Sequence, residues 1–205
     1  MIESYADLAA RVLSSPPRLG PVRLVAVDGP SGAGKSVFAE RLAAALRRAG
    51  GHDAAIVHID DLLDGWYDQL TFWPRLQRDV LEPLRRGRPG RYRRYDWHRG
   101  AFGDETMNVP AAGVVILEGV SAARAAIRPE LTLSVFVTAP RDLRLRRGLD
   151  RDGEGLGAYL ENWRLGEDRH FAADATAHAA DLVVDGAPAA AHDPTVQYVG
   201  RPHGA

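Results

Sequence analysis

Short apolar runs alternate along the chain with stretches that repeat at helical spacing. Val22-Arg23-Leu24-Val25-Ala26-Val27 is apolar and rich in β-branched residues, and Pro21 and Gly29 bound it, which predicts a buried strand. After it Val37, Phe38, Arg41, Leu42, Ala45 and Leu46 recur at helical spacing, and Arg47, Arg48, Gly50 and Gly51 supply the stop. Further buried strands are predicted over 54–59, ending in Asp60-Asp61, over 113–117, ending in Glu118-Gly119, over 131–137 and over 181–184. Helical stretches near 140–151 and 156–171 fall between them. Strands alternating with helices predict an α/β fold, a five-stranded parallel sheet with helices on both faces. Ligands collect at the carboxyl ends of the strands in such sheets. The glycine-rich turn after the first strand, Asp60 and Glu118 all fall at those ends.

Other segments depart from this rhythm. Residues 3–14 predict a short amphipathic helix and residues 72–87 another. Residues 88–109, with Arg-Pro-Gly turns and short aromatic runs, predict a hairpin flap. Beyond 185, Pro188, Pro194 and Pro202 among alanines and histidines predict a loosely held tail over 186–205, which leaves one domain over 1–185.

Composition narrows the classes. A chain of 205 residues, 45% hydrophobic, is long enough for one substantial core and short for two full domains. Its formal charge of −1 provides no global attraction to nucleic acid or to an anionic membrane, so neither is an expected partner. The absence of cysteine excludes disulfides and thiolate metal sites. With no basic-then-apolar leader and no apolar run of about 20 residues, the expectation is a cytoplasmic protein.

Candidate chemistry centres on Lys35, the single lysine. It lies in Gly29-Pro30-Ser31-Gly32-Ala33-Gly34-Lys35-Ser36, which fits the phosphate-loop pattern GxxxxGK[ST] and has the strand before it and the helix after it that this pattern requires. A compact ammonium can curl into a tight loop and touch two phosphates, where a planar guanidinium is too wide. Successive loop amides and the positive helix end form an anion cradle. The candidate nucleotide-binding residues are Gly29, Ser31, Gly32, Ala33, Gly34, Lys35, Ser36 and Val37. For a magnesium nucleotide, Ser36 is a candidate metal ligand and Lys35 a bridge between the outer phosphates. Asp60 could take a proton from a hydroxyl acceptor, hold the metal or cap a helix, and Asp61 reads as the cap. Glu118 is a metal or water-shell ligand, or caps the following turn.

Arg144, Arg147 and Arg151 are spaced to share one helix face ahead of Gly153-Glu154-Gly155-Leu156-Gly157, so 141–157 reads as an arginine lid or as a solvated surface. The Arg85–Arg99 stretch, interleaved with Tyr92, Tyr95 and Trp97, invites a nucleic-acid reading that the net charge argues against. It reads instead as an acceptor pocket built from Tyr95, Asp96, Trp97 and His98, or as a hairpin with a small aromatic core. His170 and His178 lie too far apart for one helical metal face.

GPSGAGKS after a strand, the strand ending HIDD, Tyr95-Asp96-Trp97 followed by VVILEG, and FVTAPRDLRLRRGLDRD leading to ADLVVDG together resemble the uridine kinase family of P-loop kinases, relatives of phosphoribulokinase and pantothenate kinase. The resemblance runs from about residue 22 to residue 186. It implies that Asp60 is the catalytic aspartate, that Ser36 and Glu118 match magnesium-site positions, that Tyr95 contacts the nucleoside, and that Arg144, Arg147 and Arg151 are lid arginines. Two features depart from it. The Asp-His-Pro segment that grips ribose hydroxyls in the family is missing, with Trp66-Tyr67-Asp68-Gln69 in its place and Asp68 as the candidate substitute. Beyond Arg151 the lid lacks a further Arg-Gly pair. The expectation is a kinase using ATP and Mg2+ to phosphorylate a hydroxyl of a small, nucleoside-like acceptor, the alternatives being a non-nucleoside metabolite, an ATP-binding regulator or a nucleic-acid-dependent ATPase. The sequence argues against a GTP switch, since its Asn-Lys-x-Asp motif needs a second lysine.

Overall fold

The computed structural model describes residues 1–50, 54–153, 155 and 157–202. Gly51 of the expected helix stop, Glu154 and Leu156 of the expected lid, and residues 203–205 of the expected tail lie outside the described residues. The chain begins with β1 (Ile2–Ser4) and α1 (Tyr5–Ser14), continues through β2 (Arg23–Asp28), α2 (Lys35–Gly50) and β3 (Ala54–His58), and turns through a 3-10 segment at Ile59–Leu62. A helical run follows as α3 (Trp73–Leu76), a π turn (Gln77–Leu81) and α4 (Glu82–Arg85). Then come the hairpin β4 (Gly90–Asp96) and β5 (Ala101–Val109), β6 (Val114–Glu118), β7 (Leu131–Thr138), α5 (Arg141–Asp152), α6 (Gly157–Asp174), α7 (Thr176–Ala179), β8 (Leu182–Asp185) and β9 (Gln197–Arg201).

Seven strands form one sheet in the order β1-β9-β8-β7-β2-β6-β3. Pairings among β3, β6, β2, β7 and β8 are parallel, as expected, but β9 runs antiparallel to β8 and to β1. The sheet is therefore mixed, with two strands more than the five the apolar runs predict. The additional pair also corrects the expected loose tail. Val183 to Asp185 pair with Arg201 to Val199, and Tyr198 is buried against Tyr5 and Phe38, ring centroids 5.3 and 5.5 Å away.

The pleat divides the core. Along β2, Val25 and Val27 face a cluster with α1 and α2, while Leu24 and Ala26 face a second cluster with the 3-10 segment and the 73–85 helical run. β6 repeats the division, Val114 and Ile116 on one side and Val115 and Leu117 on the other. The strands are apolar on both faces because both faces are covered. In the 73–85 run the widening at Gln77–Leu81 precedes Pro83, which has no N–H to give and whose ring would crowd the carbonyl four residues back in a regular α turn. The flap hairpin forms as expected. Asp61 anchors it and does not act as a cap: its carboxylate accepts from Arg94 Nε at 3.1 Å and from the Tyr92 hydroxyl at 3.4 Å. Among the described residues no helix is long and apolar enough to cross a membrane.

Candidate functional site

The turn after β2 wraps over the start of α2 under close steric limits. A Cβ on Gly29 would stand 2.1 Å from the Val137 carbonyl oxygen, and one on Gly186 would stand 1.8 Å from that of Ala33, so both positions require glycine for the loop to lie this close to β7 and to the segment after β8. Beneath the loop, fully buried Asp28 accepts the N–H groups of Gly29 at 2.7 Å, Ser121 at 2.9 Å and Ala123 at 2.8 Å, tying the loop to the turn after β6. Burial pushes its carboxyl up to about 6, the amides and Lys35 opposing the rise.

Lys35 opens α2, largely buried, with Nζ donating to the Pro30 carbonyl at 3.2 Å. No acidic residue lies in the first turn of that helix, so its positive end is not neutralised from within. Ser36 Oγ donates to Glu118 Oε1 at 3.2 Å, and Glu118 Oε2 meets His58 Nδ1 at 2.6 Å. Burial pushes the Glu118 carboxyl up, but the His58 bond, Lys35 and Ser36 outweigh it and hold the group below the usual carboxylate range. The Glu118 bond raises His58 in turn. Asp60 stands exposed on the wall of the recess; the protein packed around it raises its carboxyl, Lys35 opposes the rise and Glu118 adds to it.

Lys35, Ser36, Glu118 and Asp60 share one cavity of about 500 Å³, lined also by Ser31, Gly32, Gly34, Val37, Arg147 and Arg151 among others. The ends of β2, β3 and β6 thus converge as the sequence predicts, because β6 pairs in register with both neighbours and sets Glu118 beside Val27 and His58.

Not every expected site residue reaches the cavity. Gly29 and Ala33 shape the loop without lining the cavity. Ser31 lines it, but its N–H is donated to Glu167 Oε1 at 3.0 Å. Of the three arginines, Arg147 donates to the Gly32 carbonyl at 2.9 Å and the Gly186 carbonyl at 3.2 Å, while Arg144 turns under the loop, donating to the Ala139 carbonyl at 3.1 Å, and misses the cavity. Asp68, Tyr95 and His98 also miss it. Asp68 is ion-paired to Arg75 at 2.8 Å and accepts the Asp64 N–H, and Tyr95 packs on Trp97 and Phe102 at 5.2 and 5.3 Å. His98 sits exposed on the hairpin turn, its N–H held by Asp96. Trp97 does approach the site: its indole N–H donates to the Asp60 carbonyl at 3.2 Å, and its ring meets Trp66, which meets Tyr159 and Trp163 of α6.

Sequence reasoning assigns no individual role to Asp28, His58, Trp163, Glu167 or Gly186. A charged Asp28 at the end of an apolar strand, directly before the glycine loop, was a usable signal. Glu167 carried none, being one acidic residue among several on a long helix.

No family model matches the chain. It is 34% identical over 147 residues to the inorganic pyrophosphatases TTM1 and TTM2 of Arabidopsis thaliana, a match covering 67% of this chain but only about a fifth of each relative, 22% and 21%. Uridine kinase from Staphylococcus epidermidis is 27% identical over 156 residues, covering 68% of this chain and 72% of that protein. The uridine kinase of Mannheimia succiniciproducens is 28% identical over 160 residues, 69% and 74%. Among solved structures, one described provisionally as a fructose transport system kinase from Silicibacter sp. superposes with a TM-score of 0.66 at 23% identity, over 84% of this chain and 95% of that one. A candidate uridine kinase from Bacillus stearothermophilus gives 0.64 at 19%, over 87% and 96%. At these identities the structural matches carry the fold.

Proposed function

We propose that this chain, a uridine kinase-like P-loop kinase, transfers the terminal phosphoryl group of ATP to a hydroxyl of a small, nucleoside-like acceptor. The observation that carries the reading is the meeting of Lys35, the Ser36–Glu118 pair and Asp60 on one cavity at three adjacent strand ends. Phosphoryl transfer depends on positioning and charge neutralisation more than on covalent help, and this set supplies both. Lys35 and the loop amides hold the outer phosphates. Asp60, on the cavity wall, accepts the hydroxyl proton as the acceptor oxygen bonds to the terminal phosphorus and the bond to the departing diphosphate oxygen breaks. Arg147 and Arg151 line the cavity where they can offset the charge that gathers on the transferring group.

Magnesium fits the donors present, a hydroxyl and two carboxylates, all hard oxygen ligands of the kind that complete a shell of phosphate oxygens and water. Ser36, Glu118 and Asp60 would hold it, and it would neutralise phosphate charge when bound. The exposed aromatic edges of Trp97 and Tyr159 around Trp66 support a flat acceptor next to Asp60. A cytoplasmic setting with no nucleic acid or membrane partner belongs to the same reading.

The Asp68–Arg75 pair favours a second reading, a kinase for a non-nucleoside metabolite, because it occupies the carboxylate expected to grip a ribose. The experiment that decides is ADP release in magnesium ATP with separate panels of nucleosides, sugars and hydroxy acids. Release dependent on a nucleoside supports the first reading, release dependent on a sugar or hydroxy acid the second, and release dependent on none sinks both.

A further inference from the structure

Glu167 lies on α6, away from the strand ends that carry the proposed chemistry, and is fully buried. Its Oε1 accepts three hydrogen bonds: from the Ser31 N–H at 3.0 Å, from the Ser31 hydroxyl, and from the Trp163 indole N–H at 3.0 Å. The same indole also reaches Ser31 Oγ at 3.1 Å. Glu167 Oε2 is buried with no hydrogen bond among the described residues, and the Arg144 guanidinium stands 3.9 Å from it. A carboxylate this deep is costly to bury unless donors hold it, and two of its three donors belong to the phosphate loop.

Ser31 is consequently fixed at both main chain and side chain by a neighbouring helix. Its N–H is already satisfied by an anionic oxygen, the kind of group the cradle would otherwise offer it to, so a bound phosphate is met by the amides from Gly32 onward. α6 is also the helix whose Tyr159 and Trp163 rings touch Trp66. We propose that Glu167 is a positioning residue for the phosphate loop, holding Ser31 so that the loop is open to a triphosphate, and that the grip on the donor therefore depends on the seating of α6. The inference rests on the phosphate-loop reading above.

The test is titration calorimetry of the full chain with magnesium ATP and with inorganic tripolyphosphate, alongside thermal unfolding of each variant. Wild type should bind both, and Lys35→Ala should lose both. Glu167→Ala, if folded, should weaken both by about tenfold, the loss expected from charge-assisted hydrogen bonds. Glu167→Gln keeps an accepting Oε1 and should restore affinity to within about threefold. Ser31→Ala removes one donor to Glu167 and one acceptor for Trp163, and should weaken binding by about threefold even if Glu167→Ala does not fold. Wild-type affinity in folded Glu167→Ala or in Ser31→Ala overturns the inference while Lys35→Ala still upholds the phosphate site. Loss in Glu167→Gln equal to that in Glu167→Ala also overturns it. Failure of the wild type to bind either ligand removes the phosphate-site reading and the inference together.

Discussion

Glu118 and His58 stand in register on adjacent parallel strands, and their side chains meet at 2.6 Å, Oε2 to Nδ1. The contact aims the other carboxylate oxygen at Ser36. A support of this kind around a metal-binding carboxylate is worth about 10- to 100-fold in metal affinity. His58→Ala should therefore raise the magnesium concentration for half-maximal ADP release by at least about tenfold. An unchanged magnesium dependence would show that Glu118 needs no such support.

Asp60→Asn keeps the shape of the side chain and removes the proton acceptor. Turnover should fall by about 10²- to 10⁴-fold with nucleotide affinity largely kept. Comparing kcat with the binding constant for a non-hydrolysable ATP analogue separates the two effects, and an unaltered kcat would remove Asp60 from the chemistry.

Asp28 should titrate near pH 6 in the folded chain, against 3.8 for an ordinary aspartate. The folded state then binds this proton more tightly than the unfolded state. The contribution of the group to stability rises as pH falls from about 6 towards 3.8 and is lowest above 6, where the buried carboxylate is ionised. Carbon-13 NMR of the side-chain carboxyl gives the midpoint directly, and a value near 4 would contradict the expected cost of burial. Asp28→Ala strands three buried amides and should lower the urea midpoint.

Tyr198→Ala should destabilise the protein by about 3–5 kcal/mol, as for other large aromatic truncations in a packed core. Denaturant unfolding measures it. A loss below about 1 kcal/mol would mean that β9 contributes little to the core, as the tail reading implies.

The central strands were legible because each is a continuous apolar run covered on both faces, and the phosphate loop because Lys35 stands alone in a recognisable setting. β1 and β9 were not. Ile2-Glu3-Ser4 is too short to show a period, and Gln197-Tyr198-Val199-Gly200-Arg201 takes its place from pairing with β8 and from one buried ring rather than from its own composition. Arg144, Arg147 and Arg151 share a helix face as their spacing requires, yet the packing of α5 on the loop separates them, so that Arg147 holds the Gly32 carbonyl while Arg144 serves the Ala139 carbonyl. Helical spacing tells which side chains are neighbours on one element and is silent on what that element lies against.

The β1–β9 ladder joins residues 2–4 to residues 197–199. During synthesis α1 emerges early but its aromatic partner Tyr198 emerges nearly two hundred residues later, so Tyr5 and Phe38 must wait with one side open until β9 has left the ribosome. Completion of this edge is a late folding event, and a nascent chain stalled short of β9 would present an uncovered aromatic pair to whatever surrounds it.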